Sequence, residues 1–314
     1  MDIMVPGMTD FTRDGRWDWS AALRRLDGAY SENTLRSYRA DFRIFEAWCH
    51  TNDLAALPAA PATVAAFLAS ALPTMATSTL RRRLVSIAKI HCLFKLDNPT
   101  ADEDVRIALR RAERSRHRRP AQALGLTAER RDRLIAACPD DLAGLRDRAL
   151  ISIGYDTLCR RSELIALRVE DLKRLPDGAM LAIVRRAKND PFGNGREGYV
   201  SKHGAALLDA WLEAAAIHEG WIFRRILWNG AGPNALHPHS VGRILKQRAL
   251  AAGLSPDEAD ALSGHSMRVG AAQDMMAAGM GLLPIMKCGG WKSANVVARY
   301  VQEVDIVRLQ GGRY

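Results

Sequence analysis

The sequence predicts a mainly α-helical protein of two domains, in which the second domain also contains a small β-hairpin. Four observations support this fold class. Apolar residues recur at helical spacing along most of the chain. The best strand-like runs are MLAIV and REGYVS, which indicate the hairpin. A basic stretch with a proline separates two apolar regions, which indicates two domains. A length of 314 residues also suits two domains.

The first domain is predicted over residues 31–113, after an N-terminal arm (1–30) that has little apolar pattern and should be flexible. A helix should start at Ser31, because an apolar stripe near period 3.6 follows it at Leu35, Tyr38, Phe42, Phe45 and Trp48. Further helices are predicted from Pro61 to Leu72, from about Thr77, and from about Ala101 to Arg114.

Basic residues gather near the starts of these helices, at Arg36, Arg39, Arg43, Arg81, Arg82 and Arg83. Such side chains suit contacts with DNA phosphates and entry into the major groove. An ordinary solvated face remains the alternative, because the whole chain is basic.

The net charge of +10 favours a polyanionic partner, nucleic acid before a membrane surface. The stretch 54–80 carries no charge, but three prolines interrupt it, so it predicts a buried helix in place of a membrane span. The N-terminus lacks the pattern of a signal peptide. Scattered cysteines without a CxxC pair indicate free thiols in a reducing, cytoplasmic compartment and no metal site: Cys49, Cys92, Cys138, Cys159 and Cys288.

Residues 114–125 predict a basic interdomain linker, which lacks apolar periodicity. Its Arg118 and Arg119 would lie favourably along a DNA backbone. The second domain is then predicted over residues 126–314, opening with helices after Thr127 and Asp141.

The segment YDTLCRRSELIALRVEDL is mostly apolar and predicts a largely buried helix that carries Arg160 and Glu163 at i, i+3. A buried arginine needs a partner, and Glu163 is the candidate. A core ion pair without a catalytic role is an equally good interpretation of this pair.

The two strand-like runs form a hairpin, and Lys188 lies at the end of its first strand. Arg185, Arg186 and Arg196 lie nearby in the sequence. The hairpin loop spells GxGxxG, but no helix follows it directly and no βαβ unit surrounds it, so a dinucleotide site is rejected.

Helices are predicted next at 204–219 and 240–252. His239, just before the second of these, and Arg243 within it are candidates for groove contact. His237 and His239 lack further residues at metal-ligand spacing, so we expect no metal there.

The stretch 263–300 concentrates reactive side chains. His265 and Arg268 are spaced to share one helix face, and Trp291 follows a Gly-Gly turn. Tyr300 ends a short helix. Arginine neutralises phosphate oxygens, histidine exchanges protons near neutral pH, and a phenol can attack phosphorus. Taken alone, these residues could equally be surface, capping and packing side chains.

Together, six residues resemble the catalytic set of the tyrosine recombinases, also called the phage integrase family: Arg160, Lys188, His265, Arg268, Trp291 and Tyr300. The resemblance runs from about Ser31 to Leu309 and is strongest in SGHSMRVGAAQDM, PIMKCGGW and YDTLCRRSEL. It implies a helical DNA-binding domain followed by a mostly helical catalytic domain.

The resemblance also implies roles for these residues. Tyr300 would attack a DNA phosphodiester to form a 3′-phosphotyrosine, and the two arginines would hold the phosphate oxygens. Lys188 would be the general acid and His265 would assist proton transfer. Trp291 would donate a hydrogen bond to the phosphate, and Glu163 would orient the basic residues.

The family further implies double-stranded DNA with inverted repeats as substrate, a dimer on each site, and a tetramer that exchanges strands through a Holliday junction. The tail after Tyr300 would dock on a neighbouring subunit. Neither metal nor ATP is implied, and the setting would be a bacterial, phage or plasmid nucleoid. Two alternatives are a non-catalytic, architectural DNA-binding protein, and a relative with the same cleavage chemistry but another outcome, such as a telomere resolvase or a topoisomerase.

Overall fold

The structure is a computed structural model, and it describes residues 17–72, 74–115, 122–185 and 195–301. The chain divides into two compact units, Met1–Pro120 and Ala121–Tyr314.

Within the described residues, the N-terminal unit is formed by five α-helices and a short 3-10 turn at Pro99–Ala101: α1 (Trp19–Arg24), α2 (Glu32–Thr51), α3 (Pro61–Ala71), α4 (Thr77–Leu93) and α5 (Glu103–Ser115). The core is aromatic where α2 meets α3. Phe45 lies edge-on to Phe67, with ring centroids 5.2 Å apart, and both rings are buried. Edge-to-face pairs of this kind add to the free energy of apolar burial.

The helix starts follow local chemistry that the sequence contains. The Ser31 hydroxyl accepts a hydrogen bond from the backbone N–H of Thr34 and so caps α2. Pro61 occupies the first turn of α3, where a missing N–H costs nothing. The predicted starts at Ser31, Pro61 and Thr77 are therefore close to the observed ones.

The flexible arm predicted over residues 1–30 is wrong for its last part. The side chain of Asp18 caps α1, and Trp19 and Leu23 of that helix are buried. The Trp19 ring lies edge-on to Phe42, and its indole N–H donates to Glu46 over 2.9 Å. A six-residue helix is too short to show a period, so only the tertiary contacts reveal it. Residues 1–16 lie outside the described part of the chain.

The C-terminal unit is mainly helical. Its described helices are α6 (Ala128–Ala136), α7 (Leu142–Asp156), α8 (Arg161–Leu164), α9 (Lys202–Ala214), α10 (Pro238–Ala251), α11 (Pro256–Ala261), α12 (Ser266–Ala277), α13 (Leu282–Gly289) and α14 (Ala294–Val301). Its described strands are β1 (Leu172–Arg174), β2 (Met180–Val184), β3 (Arg196–Val200), β4 (Arg224–Leu227) and β5 (Gly230–Ala235).

The strands form two antiparallel sheets. β1, β2 and β3 lie in that order, with Ala182 opposite Leu172 on one side and Gly198 on the other. The predicted hairpin of MLAIV and REGYVS is thus confirmed, and β1 extends it. The β4–β5 hairpin was not predicted, because GAGPNA has no strand-like side chains.

The long buried helix predicted through YDTLCRRSELIALRVEDL is wrong. α7 ends at Asp156, a bend follows, and α8 contains only four residues. Leu158 in the bend has a left-handed backbone with φ of 51°, which interrupts any helix. The break places Arg160 at the start of α8, outside a helical stripe.

No helix in the described ranges has the length and apolarity needed to cross a membrane. All five cysteines are free thiols; Cys49, Cys138 and Cys159 are buried, whereas Cys92 and Cys288 are exposed.

His91 on α4 should make the N-terminal unit sensitive to acid. Its Nε2 accepts from the Ala59 N–H over 3.0 Å, so its Nδ1 is the donor to the Ile87 carbonyl. Burial lowers the pKa of His91 below 6.5, although the Ile87 carbonyl opposes this shift. Because the folded state excludes a proton that the unfolded chain binds, the free energy of unfolding should fall as pH falls below about 6.5.

Urea unfolding of the full chain between about pH 7 and about pH 5 would test this expectation. His91→Leu should be less stable at every pH but should have a smaller pH slope than the wild type. His50→Gln, at an exposed position, is the control and should keep the wild-type slope. Equal slopes in wild type and His91→Leu would contradict the role of His91.

Candidate active site

The candidate site is centred on Arg268 in the first turn of α12. This side chain is almost completely buried, at 1% exposure. Its Nη1 donates to the Leu158 carbonyl over 2.5 Å, and its guanidinium carbon lies 3.9 Å from the centre of the Trp291 ring. Nη2 has no hydrogen-bond partner among the described residues. One buried donor of this arginine is therefore left for an acceptor that the described residues do not supply.

The electrostatics of Arg268 favour an anion. Desolvation by burial and the charge of Arg160 lower its pKa from 12.5 to about 10, while Glu163 opposes the shift. The guanidinium stays protonated at neutral pH, but in an unfavourable environment. A bound phosphate would relieve that cost, because it supplies both negative charge and an acceptor.

Trp291 is held by the turn that ends α13. Gly290 adopts a left-handed conformation, with φ of 64°, as glycine commonly does after a helix. A Cβ atom on Gly289 would lie 2.0 Å from the Trp291 ring, so only glycine lets the indole lie there. The Gly-Gly pair, predicted as a turn, therefore also sets the position of the ring over Arg268.

Glu163 joins two further arginines. Its carboxylate is buried and accepts from Arg160 Nη1 over 2.5 Å. Its other oxygen, Oε2, accepts from the Arg160 backbone N–H and lies 3.6 Å from Arg196 Nη2. The predicted Arg160–Glu163 pair is present, and it has a third member.

Arg196 was not predicted as a site residue. It starts β3, its Nη1 donates to the Cys288 carbonyl over 3.0 Å, and its Nε is buried without a partner among the described residues. It thus ties the hairpin to the turn before Trp291. The sequence contained only one signal, its proximity to Lys188 in the chain, which several other arginines share.

His265 is the N-cap residue of α12 and does not belong to the helix itself, which corrects the expectation of a shared helix face with Arg268. The residue keeps contact with solvent, but the protein around its imidazole lowers its pKa by desolvation. The positive charges of Arg268, Arg161 and Arg160 lower the pKa further. His265 is therefore neutral near pH 7 and able to accept a proton.

Tyr300 lies on α14 and is half-buried. Its ring centroid is 5.7 Å from that of Trp291, and the rings are inclined by 46°. The structure thus brings Arg268, Trp291 and Tyr300 together, and Glu163 links Arg160 to Arg196 at the same site. Lys188 and the tail after Val301 lie outside the described residues.

The predicted DNA contacts of the N-terminal unit divide into two groups. Arg36 and Arg43 are exposed and Arg39 is half-buried on α2. Arg81 pairs with Glu113 and Arg82 with Asp41, and both arginines keep more than half of their side-chain surface exposed.

The prediction of Arg83 as a DNA contact is wrong. Its side chain is only 6% exposed, lies 3.9 Å from Asp41, and stacks over Phe67. The run of three arginines on α4 spreads over about 200° of the helix, in steps of about 100°, so its members do not share one face. Sequence alone did not show which one turns inward.

The remaining predicted DNA contacts are His239, Arg243, Arg118 and Arg119. His239 and Arg243 are exposed on α10, and the His239 ring stacks on His237 at 5.2 Å. Arg118 and Arg119 lie outside the described residues. Within the residues that the structure describes, no group of three or more His, Cys, Asp or Glu side chains is placed to hold a metal.

The N-terminal unit is helical, and the C-terminal unit is mainly helical and contains buried arginines, a stacked tryptophan and a phenol. These features are those expected of a protein that handles phosphodiesters. Comparison with known families agrees. The model of the phage integrase family matches residues 125–305, and that of the phage integrase N-terminal SAM-like domain matches residues 21–93. The chain belongs to the phage integrase family, whose members are tyrosine recombinases that cleave and rejoin DNA strands.

Two curated relatives are about equally similar. The chain is 32% identical over 304 residues to the integrase/recombinase xerD homolog of Selenomonas ruminantium, which covers 91% of this chain and 86% of that relative. It is 30% identical over 296 residues to recombinase cre of Escherichia phage P1, which covers 88% and 86%.

Among solved structures, the fold is similar to that of the XerH site-specific recombinase bound to a palindromic difH substrate. The TM-score is 0.64 at 14% identity, covering 94% of this chain and 82% of that one. At this identity the likeness shows the fold alone, which confirms the predicted fold class.

Replacing Glu163 by Gln should destabilise the C-terminal unit, because Arg160 and Arg196 would lose the buried carboxylate that they share. We expect a loss of about 3 kcal/mol in the free energy of unfolding, as for other broken buried pairs. Urea unfolding would measure it. The same substitution at exposed Glu213 is the control, and an equal effect of both changes would contradict the role of Glu163.

Proposed function

We propose that the chain is a site-specific recombinase in which Tyr300 is the nucleophile. Its phenolic oxygen would form a bond to phosphorus as the bond from phosphorus to the 5′-oxygen breaks. The phenol proton would leave toward neutral His265, and the 5′-oxygen would take a proton from Lys188. The products are a 3′-phosphotyrosine and a free 5′-hydroxyl.

The observation that carries this proposal is that Nη2 of Arg268 is buried and has no hydrogen-bond partner among the described residues. Arg268 lies over the Trp291 ring, and that ring lies 5.7 Å from the Tyr300 ring. A phosphate oxygen is the acceptor that fits such a donor. Arg160 would hold a second oxygen, since its side chain keeps 17% exposure while Glu163 fixes its orientation. Fixed positive groups stabilise the charge that develops in the pentavalent transition state.

Trp291 supports the site in a way that differs from its expected hydrogen bond to phosphate. Its ring stacks on Arg268 and also packs beside Tyr300. The indole therefore sets the distance between the arginine and the nucleophile, and any donation to phosphate would be additional. Glu163 would orient Arg160 and Arg196 together.

The exchange that we propose is Cre-like. The bond energy kept in the phosphotyrosine would let a 5′-hydroxyl from a partner strand attack it, so that strands exchange through a Holliday junction without ATP. A dimer on each inverted-repeat site and a tetramer in the synapse would follow. The 30% identity to recombinase cre supports this proposal.

Tyr300→Phe should abolish the covalent adduct with DNA, because only the nucleophilic oxygen is lost. The assay uses DNA that flanks the gene, nicked to trap intermediates, with chelator present, and a denaturing gel. DNA affinity should stay within about twofold of the wild type, since the ring remains. An adduct formed by Tyr300→Phe would remove Tyr300 from the mechanism. Arg268→Ala should also block adduct formation.

Lys188→Ala should slow cleavage of normal DNA by a factor of about 100 or more, as expected for loss of a general acid. A substrate with sulfur in place of the bridging 5′-oxygen should restore the rate, because a thiolate leaves without a proton. Arg186→Ala is the matched control for loss of a nearby positive charge and should show no sulfur rescue. If sulfur fails to rescue Lys188→Ala, the general-acid role is wrong.

A further inference from the structure

The backbone carbonyl of Tyr300 accepts hydrogen bonds from two side-chain amides. Gln122 Nε2 donates to it over 3.1 Å and Gln273 Nε2 over 3.2 Å. Tyr300 lies on α14, one residue before the last described residue of that helix. The two glutamines therefore bind the same backbone oxygen from two different segments of the chain.

Gln273 connects this carbonyl to the centre of the site. It lies on α12, five residues after Arg268. A Cβ atom on Gly125 would lie 2.0 Å from the Gln273 Oε1, so the absence of a side chain at 125 makes room for the amide. One rigid helix thus carries both the phosphate-binding arginine and a donor that fixes the nucleophile's backbone.

Gln122 belongs to a segment that is itself held in place. The Leu124 N–H donates to the Ala261 carbonyl over 2.9 Å, and the Leu126 N–H donates to the Ser266 carbonyl over 2.8 Å. A Cβ atom on Gly270 would lie 1.9 Å from the Leu126 oxygen, so this segment runs very close to α12. Its amide therefore approaches Tyr300 from a fixed backbone.

We propose that Gln122 and Gln273 are positioning residues for the nucleophile. They act through the Tyr300 carbonyl and hold the phenol at its distance from Trp291 and Arg268. This inference rests on the proposed function, because it takes Tyr300 as the attacking residue. Since cleavage needs the phenolic oxygen close to phosphorus and in line with the leaving group, loss of both donors slows the covalent step without weakening DNA binding.

The test compares Gln122→Met, Gln273→Met and the double variant, because methionine has a similar length but no donor. The covalent adduct is timed at saturating concentrations of the nicked flanking DNA, and DNA affinity is measured separately. We expect a loss of about tenfold to a hundredfold in the cleavage rate of the double variant, with unchanged affinity. Each single variant loses less, because the other amide remains on the same oxygen.

Two comparisons separate positioning from general stability. Gln273→Lys keeps a donor and should restore most of the rate that Gln273→Met loses. Gln247→Met, at an exposed position on α10, is the matched control and should cleave at the wild-type rate. A double variant that cleaves at the wild-type rate, or a Gln273→Lys variant no better than Gln273→Met, would overturn the proposal.

Hydrogen exchange distinguishes this inference from the proposed function. In the free protein, the amides of α14 should exchange faster in the double variant than in the wild type, whatever DNA is used. If neither the wild type nor any variant forms an adduct, the proposed function fails. Hydrogen exchange of α14 still reports on the two hydrogen bonds in that case. Unchanged exchange of α14 in the double variant would overturn the anchoring itself.

Discussion

The burial of one guanidinium, that of Arg268, is the constraint on which the rest of the site depends. A buried cation must be compensated, and three elements contribute to it here. The bend at Leu158 directs its carbonyl to Nη1, at the cost of a left-handed backbone at a non-glycine residue. The Gly-Gly turn places the Trp291 ring over the guanidinium, and Glu163 lowers the surrounding positive potential. The burial of Arg268 thus accounts for three features that packing alone does not require: the left-handed Leu158, the Gly-Gly turn and the buried carboxylate of Glu163.

The positive charge of the site is only partly compensated by these groups, and the charge that remains is suited to binding an anion. Arg160 and Arg196 share one buried carboxylate, and the charge of Arg268 is added beside them, so the described site has excess positive charge. Two buried donors, on Arg196 and Arg268, lack partners among the described residues. Like charges at short range cost stability in the free protein, and a phosphate returns that energy when it binds. In the proposed function, the free energy stored in the folded site would become available for holding DNA and the transition state.

The sequence predicted the parts that depend on local chemistry. Capping residues located the starts of α2 and α7. The resemblance to a known family selected Arg160, His265, Arg268, Trp291 and Tyr300 as site residues, and their catalytic roles stay predictions. It did not predict Arg196 as a site residue, because its partners Glu163 and Cys288 are far away in the chain. The sequence also did not predict the burial of Arg83 against Asp41 and Phe67, because these partners are likewise far away in the chain. Periodicity reports which face of a helix is apolar, but it does not report which charged side chain finds a buried carboxylate.

Helix α12 fixes the relative positions of site residues that come from distant segments of the chain. His265 is its N-cap residue, Arg268 lies in its first turn, and the Gln273 amide donates to the Tyr300 carbonyl. The next residue, Asp274, accepts from the Ala128 N–H and from the Tyr155 hydroxyl, which fixes the helix against α6 and α7. Residues on one helix keep their mutual distances whatever the surrounding loops do. The geometry between Arg268 and Tyr300, the phosphate-binding residue and the nucleophile of the proposed function, therefore depends on a few contacts to α12.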